Sequence, residues 1–146
     1  MDIIKKLREE TGLSFAEIKK ALDASNGDEA AARVVLAARG AEQAAKKADR
    51  ELIAGTVAAY VHSTGTIAVM VKLGCETDFV GKNDEFKALA YDLAMHICAM
   101  NPESMEDLMT QSFIKAPELT IKEKIDGAVQ KFGENTRLVE YVRYSI

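Results

Sequence analysis

The sequence has 146 residues, enough for one medium domain or two small ones. It is 48% hydrophobic and 29% charged, an ordinary globular balance, and its net charge of −4 argues against a nucleic-acid partner, which demands a basic face. No apolar run is long enough to span a membrane, the opening Met1-Asp2-Ile3-Ile4-Lys5 lacks a signal-peptide layout, and Cys75 and Cys98 are too few for a disulfide framework, so a cytoplasmic location is expected.

Three short helices open the chain. Asp2 can cap a first helix on which Ile3, Ile4 and Leu7 share a face, ending at Thr11-Gly12. Ser14-Phe15-Ala16-Glu17 is a capping box, with Leu13 and Ile18 placed as a hydrophobic staple. Asp28 caps a third helix carrying Ala31, Val34, Val35 and Ala38, with Gly40 as its stop. Three such helices around a small aliphatic core are similar to a ubiquitin-associated bundle. Residues 41–54 are rich in alanine and charge with little to bury, and read as a helical connector; Lys46, Lys47 and Arg50 suit a solvated face.

The second module, 55–146, begins with a hairpin. Thr56 to His62 and Thr66 to Leu73 alternate across Ser63-Thr64-Gly65, a connection that suits a tight turn. Val57, Val61, Val69 and Val71 are expected to face inward, leaving Ala58, Tyr60, Ala68 and Met70 outside. Asn83 caps a long amphipathic helix carrying Phe86, Leu89, Ala90, Leu93, Ala94 and Ile97, which Asn101-Pro102 ends. Glu103 to Gln111 is acidic and weakly structured, with a helical turn or so expected within it. Thr120-Ile121-Lys122-Glu123 is a second capping box, opening a helix that Gly133 stops. Thr136 to Tyr144 is β-rich and predicts a third, antiparallel strand. The fold class is therefore α+β: a three-helix bundle, then a small three-stranded antiparallel sheet with helices on one face.

Between the second strand and the long helix stands Cys75-Glu76-Thr77-Asp78-Phe79-Val80-Gly81-Lys82-Asn83. Surface connections seldom carry a Phe without a use. An aromatic beside a carboxylate on such a corner suits a wedge, the ring entering a partner's pocket and Asp78 meeting donors around it. The competing possibility is that Phe79 and Val80 fold back into the protein's own core.

Cys75 to Val80, with Met95-His96-Ile97 and Asn101-Pro102 beyond, resembles elongation factor Ts, the nucleotide exchange factor of translation elongation factor Tu. The resemblance runs through almost the whole chain. It implies that Thr77, Asp78, Phe79 and Val80 push into the GTP-binding domain of elongation factor Tu and disturb its magnesium site. It also implies that the N-terminal module, with Leu13 and Phe15 as contact candidates, rests on the same domain. Members of the family usually carry more helices after the Asn-Pro, and longer ones a second core subdomain; neither is present here. One sheet without that neighbour suggests a two-fold homodimer through the sheet module.

Other chemistries fare less well. His62, Cys75, His96 and Cys98 lack metal-site spacing, and Cys75 has no motif or orienting group that would make it a nucleophile. Gly74 and Gly81 do not form a phosphate loop. No enzyme activity, cofactor or metal is expected. A ubiquitin-associated-like binding adaptor without exchange activity is the alternative, resting on the first forty residues alone; it leaves Phe79 without a use.

Overall fold

Local capping chemistry starts each of the first three helices in the computed structural model, which describes residues 2–146. Asp2 accepts from the Ile4 amide and opens α1 (Ile3–Thr11), which Gly12 closes in the left-handed region. Ser14 and Glu17 form the reciprocal capping box of α2 (Phe15–Ala24). Asp28 caps α3 (Glu29–Lys47). Leu7, Leu13, Ile18, Ala21, Leu22, Ala32 and Leu36 make the core of this bundle. Arg33 ties it laterally, pairing with Glu10 and, at 2.8 Å, with Glu29.

Two features of α3 differ from the sequence reading. The helix does not stop at Gly40 but runs on to Lys47. Its inward stripe is Ala32, Leu36 and Gly40, while Val34 is 70% exposed and Ala38 is also exposed. Gly40 is buried because α3 crosses α7 (Ile121–Phe132) there: a Cβ at Gly40 would lie 3.5 Å from the Asp126 backbone. Lys124 of α7 donates to the Glu10 carbonyl at 2.7 Å, satisfying an end carbonyl of α1, and Gln130 donates to Glu17 at 3.1 Å. The bundle and the sheet module therefore meet through a packed and hydrogen-bonded seam.

The sheet has the order β1 (Ala54–Val61), β2 (Ile67–Cys75), β5 (Arg137–Ser145), antiparallel throughout. Residues 62–66 make the hairpin connection, two longer than the three-residue turn expected. β2 presents Val69, Val71 and Leu73 to the core, as its alternation implies. β1 is the reverse of the expectation. Thr56, Ala58 and Tyr60 pair opposite Leu73, Val71 and Val69 and share their covered face, while Val57 and Val61 are each 65% exposed. A one-residue difference in register exchanges the two faces of a strand. Ala58 leaves room for the covering helix, and Tyr60 meets Tyr91 edge to face at 5.7 Å.

That covering helix is α5 (Asp84–Met100), capped by Asn83, which accepts from both Glu85 and Phe86 amides. Phe86, Leu89, Ala90, Leu93, Ala94 and Ile97 are buried beneath it. It ends as Asn101 turns left-handed, at φ 42°, immediately before Pro102. The acidic stretch that follows holds a capped helix, α6 (Met105–Thr110), whose Leu108 is fully buried. A two-stranded ribbon, β3 (Ser112–Phe113) with β4 (Ala116–Thr120), was not legible in the sequence. The Thr120–Glu123 capping box opens α7 and Gly133 closes it. The outcome is α+β, with N-terminal helices followed by a three-stranded antiparallel sheet covered by helices.

Candidate functional site

The corner after β2 is a single helical turn, α4 (Asp78–Gly81). Thr77 is its N-cap, its hydroxyl accepting from the Val80 amide at 3.3 Å, with Asp78 in the first turn. Two glycines seat this turn on the sheet. A Cβ at Gly81 would stand 2.8 Å from the Gly55 carbonyl oxygen, so the backbones of α4 and β1 touch directly. Gly55 itself has φ 152°, and a Cβ there would stand 2.3 Å from the Leu73 oxygen. Only glycine fits at either place.

This seating divides the four candidate residues. Val80 is 5% exposed and belongs to the sheet module's core. Thr77 and Asp78 are exposed. Phe79 is 86% exposed, the ring standing off the turn into solvent. The own-core alternative therefore holds for Val80 and not for Phe79. The two N-terminal candidates divide likewise: Leu13 is buried in the bundle core, while Phe15 is 50% exposed. Phe15 lines an open cleft of about 450 Å³ beside Ile4, Lys5, Arg8 and Lys131.

Two residues of the corner were missed from sequence. Glu134, just beyond the α7 stop, accepts from the Glu76 and Thr77 amides through Oε1 at 3.1 and 3.0 Å. Its Oε2 accepts from the Thr77 hydroxyl at 2.7 Å. Asn135 donates its backbone N–H to the Glu76 carboxylate, and its side-chain amide donates to the Arg50 carbonyl at 2.7 Å. The only local signal was an acid and an amide following a Gly helix stop. Their partners lie more than fifty residues away in sequence, beyond the reach of periodicity or capping rules.

Cys75 lies beneath the corner, fully buried, its thiol donating to the Thr77 carbonyl at 3.2 Å. Burial, with Glu134 adding negative charge nearby, pushes the thiol up from its ordinary value. A nucleophile needs the opposite shift. His96 is also buried and lies on α5, bonded to Gln111 at 2.9 Å. Among the described residues, no three His, Cys, Asp or Glu side chains gather as a metal site would. No helix there is long and apolar enough to cross a membrane.

Fold and site thus define an α+β protein that offers an apolar tip, Phe79, on a clamped corner. The chain matches the family described as Elongation factor TS over residues 76–146. It is 40% identical to elongation factor Ts of Thermotoga maritima, with 96% of this chain and 77% of that protein covered. Elongation factor Ts of Carboxydothermus hydrogenoformans is 34% identical over 189 aligned positions, covering 99% of this chain and 87% of the relative. That of Herpetosiphon aurantiacus is 32% identical, with 100% and 96% covered. The chain belongs to the elongation factor Ts family.

Proposed function

We propose that this protein is a translation elongation factor that binds elongation factor Tu carrying GDP and promotes GDP release, so that GTP can bind. It acts in the cytoplasm as an exchange factor and performs no covalent chemistry of its own. The observation that carries the proposal is the exposed Phe79, held out on a turn whose other apolar residue, Val80, is buried. A large apolar side chain kept in water on a fixed support is suited to a partner's pocket.

The mechanism is one of linkage. An exchange factor binds its nucleotide-free partner more tightly than the nucleotide-bound one, and the nucleotide weakens the factor by the same ratio. Accelerating release by about ten thousand-fold requires about 5.5 kcal/mol of transition-state stabilisation. Burying one Phe side chain supplies about 2–3 kcal/mol on area grounds. Phe79 therefore needs help. In this proposal Asp78, exposed in the first turn of α4, accepts from donors of the partner's magnesium site and loosens the metal's hold on the phosphates. Phe15 supplies a second contact from the N-terminal bundle, with Leu13 supporting it from beneath and Val80 doing the same for Phe79.

Assembly belongs to the same proposal. The outer face of the sheet carries Val57, Val61, Met70 and Tyr144, all exposed, around a Lys72–Glu140 ion pair at 2.8 Å. These residues, and not the Ala58 and Tyr60 expected from the sequence, form the face through which a two-fold homodimer would pack. The exchange proposal is tested by following release of a fluorescent guanine nucleotide from elongation factor Tu. Release should quicken in proportion to added protein; release at the spontaneous rate throughout would refute the proposal.

A further inference from the structure

We infer that Glu134 is the positioning residue of the Phe79 wedge, its carboxylate presetting the turn from Glu76 to Gly81 in the shape that meets the partner; this rests on the exchange function proposed above.

A helix of four residues cannot maintain itself, because the first turn fixes several dihedrals for one hydrogen bond. The tip of α4 also lacks packing of its own, since Phe79 is exposed. Its supports are therefore few. From below come Val80 and the Gly81–Gly55 contact. From the side comes Glu134, which Gly133 at φ 73° turns back toward the corner.

Glu134 takes three donors with one side chain: two successive amides and the Thr77 hydroxyl. The hydroxyl proton is thereby committed to Glu134, which leaves a Thr77 lone pair directed at the Val80 amide. The chain Val80 N–H to Thr77 Oγ1–H to carboxylate polarises in one direction, and charge-assisted links of this kind are stronger than neutral ones. The remaining polar atom of Thr77, its carbonyl, receives the Cys75 thiol at 3.2 Å and the Gly81 amide at 3.1 Å. Every polar atom of Thr77, the N-cap of the turn that carries Phe79, is thus held, and Glu134 holds two of them. Asn135 holds the Glu76 side chain by donating its backbone N–H to that carboxylate. A wedge ordered before contact does not spend binding energy on its own ordering, and what it saves appears in the rate of release.

The test measures release of fluorescent GDP from elongation factor Tu at increasing factor concentration, for Glu134→Gln in the wild-type and Phe79→Ala backgrounds. Glu134→Gln should lower the maximal release rate about tenfold, equivalent to about 1.4 kcal/mol, and change the half-saturating concentration less than about twofold. In the Phe79→Ala background it should add less than about twofold, because its effect passes through the ring. Thr77→Val, which removes both the hydroxyl's link to Glu134 and its cap on the Val80 amide, should show the same split and serves if Glu134→Gln folds poorly. Equal losses in both backgrounds would show a general structural role and overturn the inference. So would normal release by Glu134→Gln beside slow release by Phe79→Ala. Normal release by Phe79→Ala itself would overturn the wedge and its positioning together.

Discussion

His96 sits at full burial on the side of α5 that faces the β3 segment. Its Nδ1 accepts from the Ile114 amide at 3.3 Å, so the ring proton is on Nε2, donated to Gln111 Oε1 at 2.9 Å. This neutral tautomer stitches α5 to the loop that follows α6. Burial is the larger influence on the ring and lowers its pKa from the ordinary 6.5, against the opposing pull of the Gln111 bond. A base depressed in the folded state takes up its proton preferentially when unfolded. Its contribution to stability is therefore complete above about pH 6.5 and is lost as pH falls below that value. The melting temperature should drop between pH 7.5 and pH 5.5, and His96→Gln should flatten part of the slope. Parallel curves for the two proteins would assign the pH dependence to other groups.

At the scale of elements, glycines decide where α3 and α4 lie, and they do so with different tolerances. A Cβ at Gly40 would meet the Asp126 backbone at 3.5 Å, an ordinary contact. Gly40→Ala should therefore leave stability unchanged or raise it by up to about 1 kcal/mol through helix propensity. A Cβ at Gly81 would meet the Gly55 carbonyl at 2.8 Å, against backbone that cannot give way. Gly81→Ala should cost about 1–3 kcal/mol and shift the Phe79 turn. Urea unfolding of the two variants distinguishes them; equal losses would mean that the α4–β1 approach is not tight.

These same elements mark the limit of what the sequence discloses. Ser14 with Glu17, Thr120 with Glu123, and Asn83 at α5 are local devices, each closed within three residues, and each was legible. The corner itself was legible too, because an aromatic between a strand pattern and a helix cap is conspicuous. Gly40 was misread because a glycine at a helix crossing and a glycine at a helix end look alike until α7, more than eighty residues later, is in place. The face of β1 was misread because valines suggest burial, whereas hairpin register decides it. The Glu134–Thr77 link joins residues 57 apart and left no local trace.

For the molecule as a whole, the seam between bundle and sheet module fixes where Phe15 and Phe79 stand relative to each other. Lys124 reaching the end of α1, Gln130 reaching Glu17 and the close α3–α7 crossing supply that seam. On the far side of the sheet, the Val57, Val61, Met70 and Tyr144 face should bring two copies together. Cys75 and Cys98 are both buried free thiols, so this association should persist in reducing agent. Sedimentation at micromolar concentration should report twice the chain mass of 15.9 kDa; a monomer at every concentration would exclude the dimer.

The exposed ring of Phe79 carries the proposed activity, and substituting it separates exchange from folding. Nucleotide release from elongation factor Tu and thermal melting should be measured on the wild-type protein and on Phe79→Ala, side by side. Release should slow at least about tenfold, a loss of about 1.4 kcal/mol in transition-state stabilisation, while melting stays nearly unchanged because the ring is 86% exposed. A variant that melts far earlier yet releases nucleotide at the wild-type rate would show that Phe79 serves the fold and not the partner.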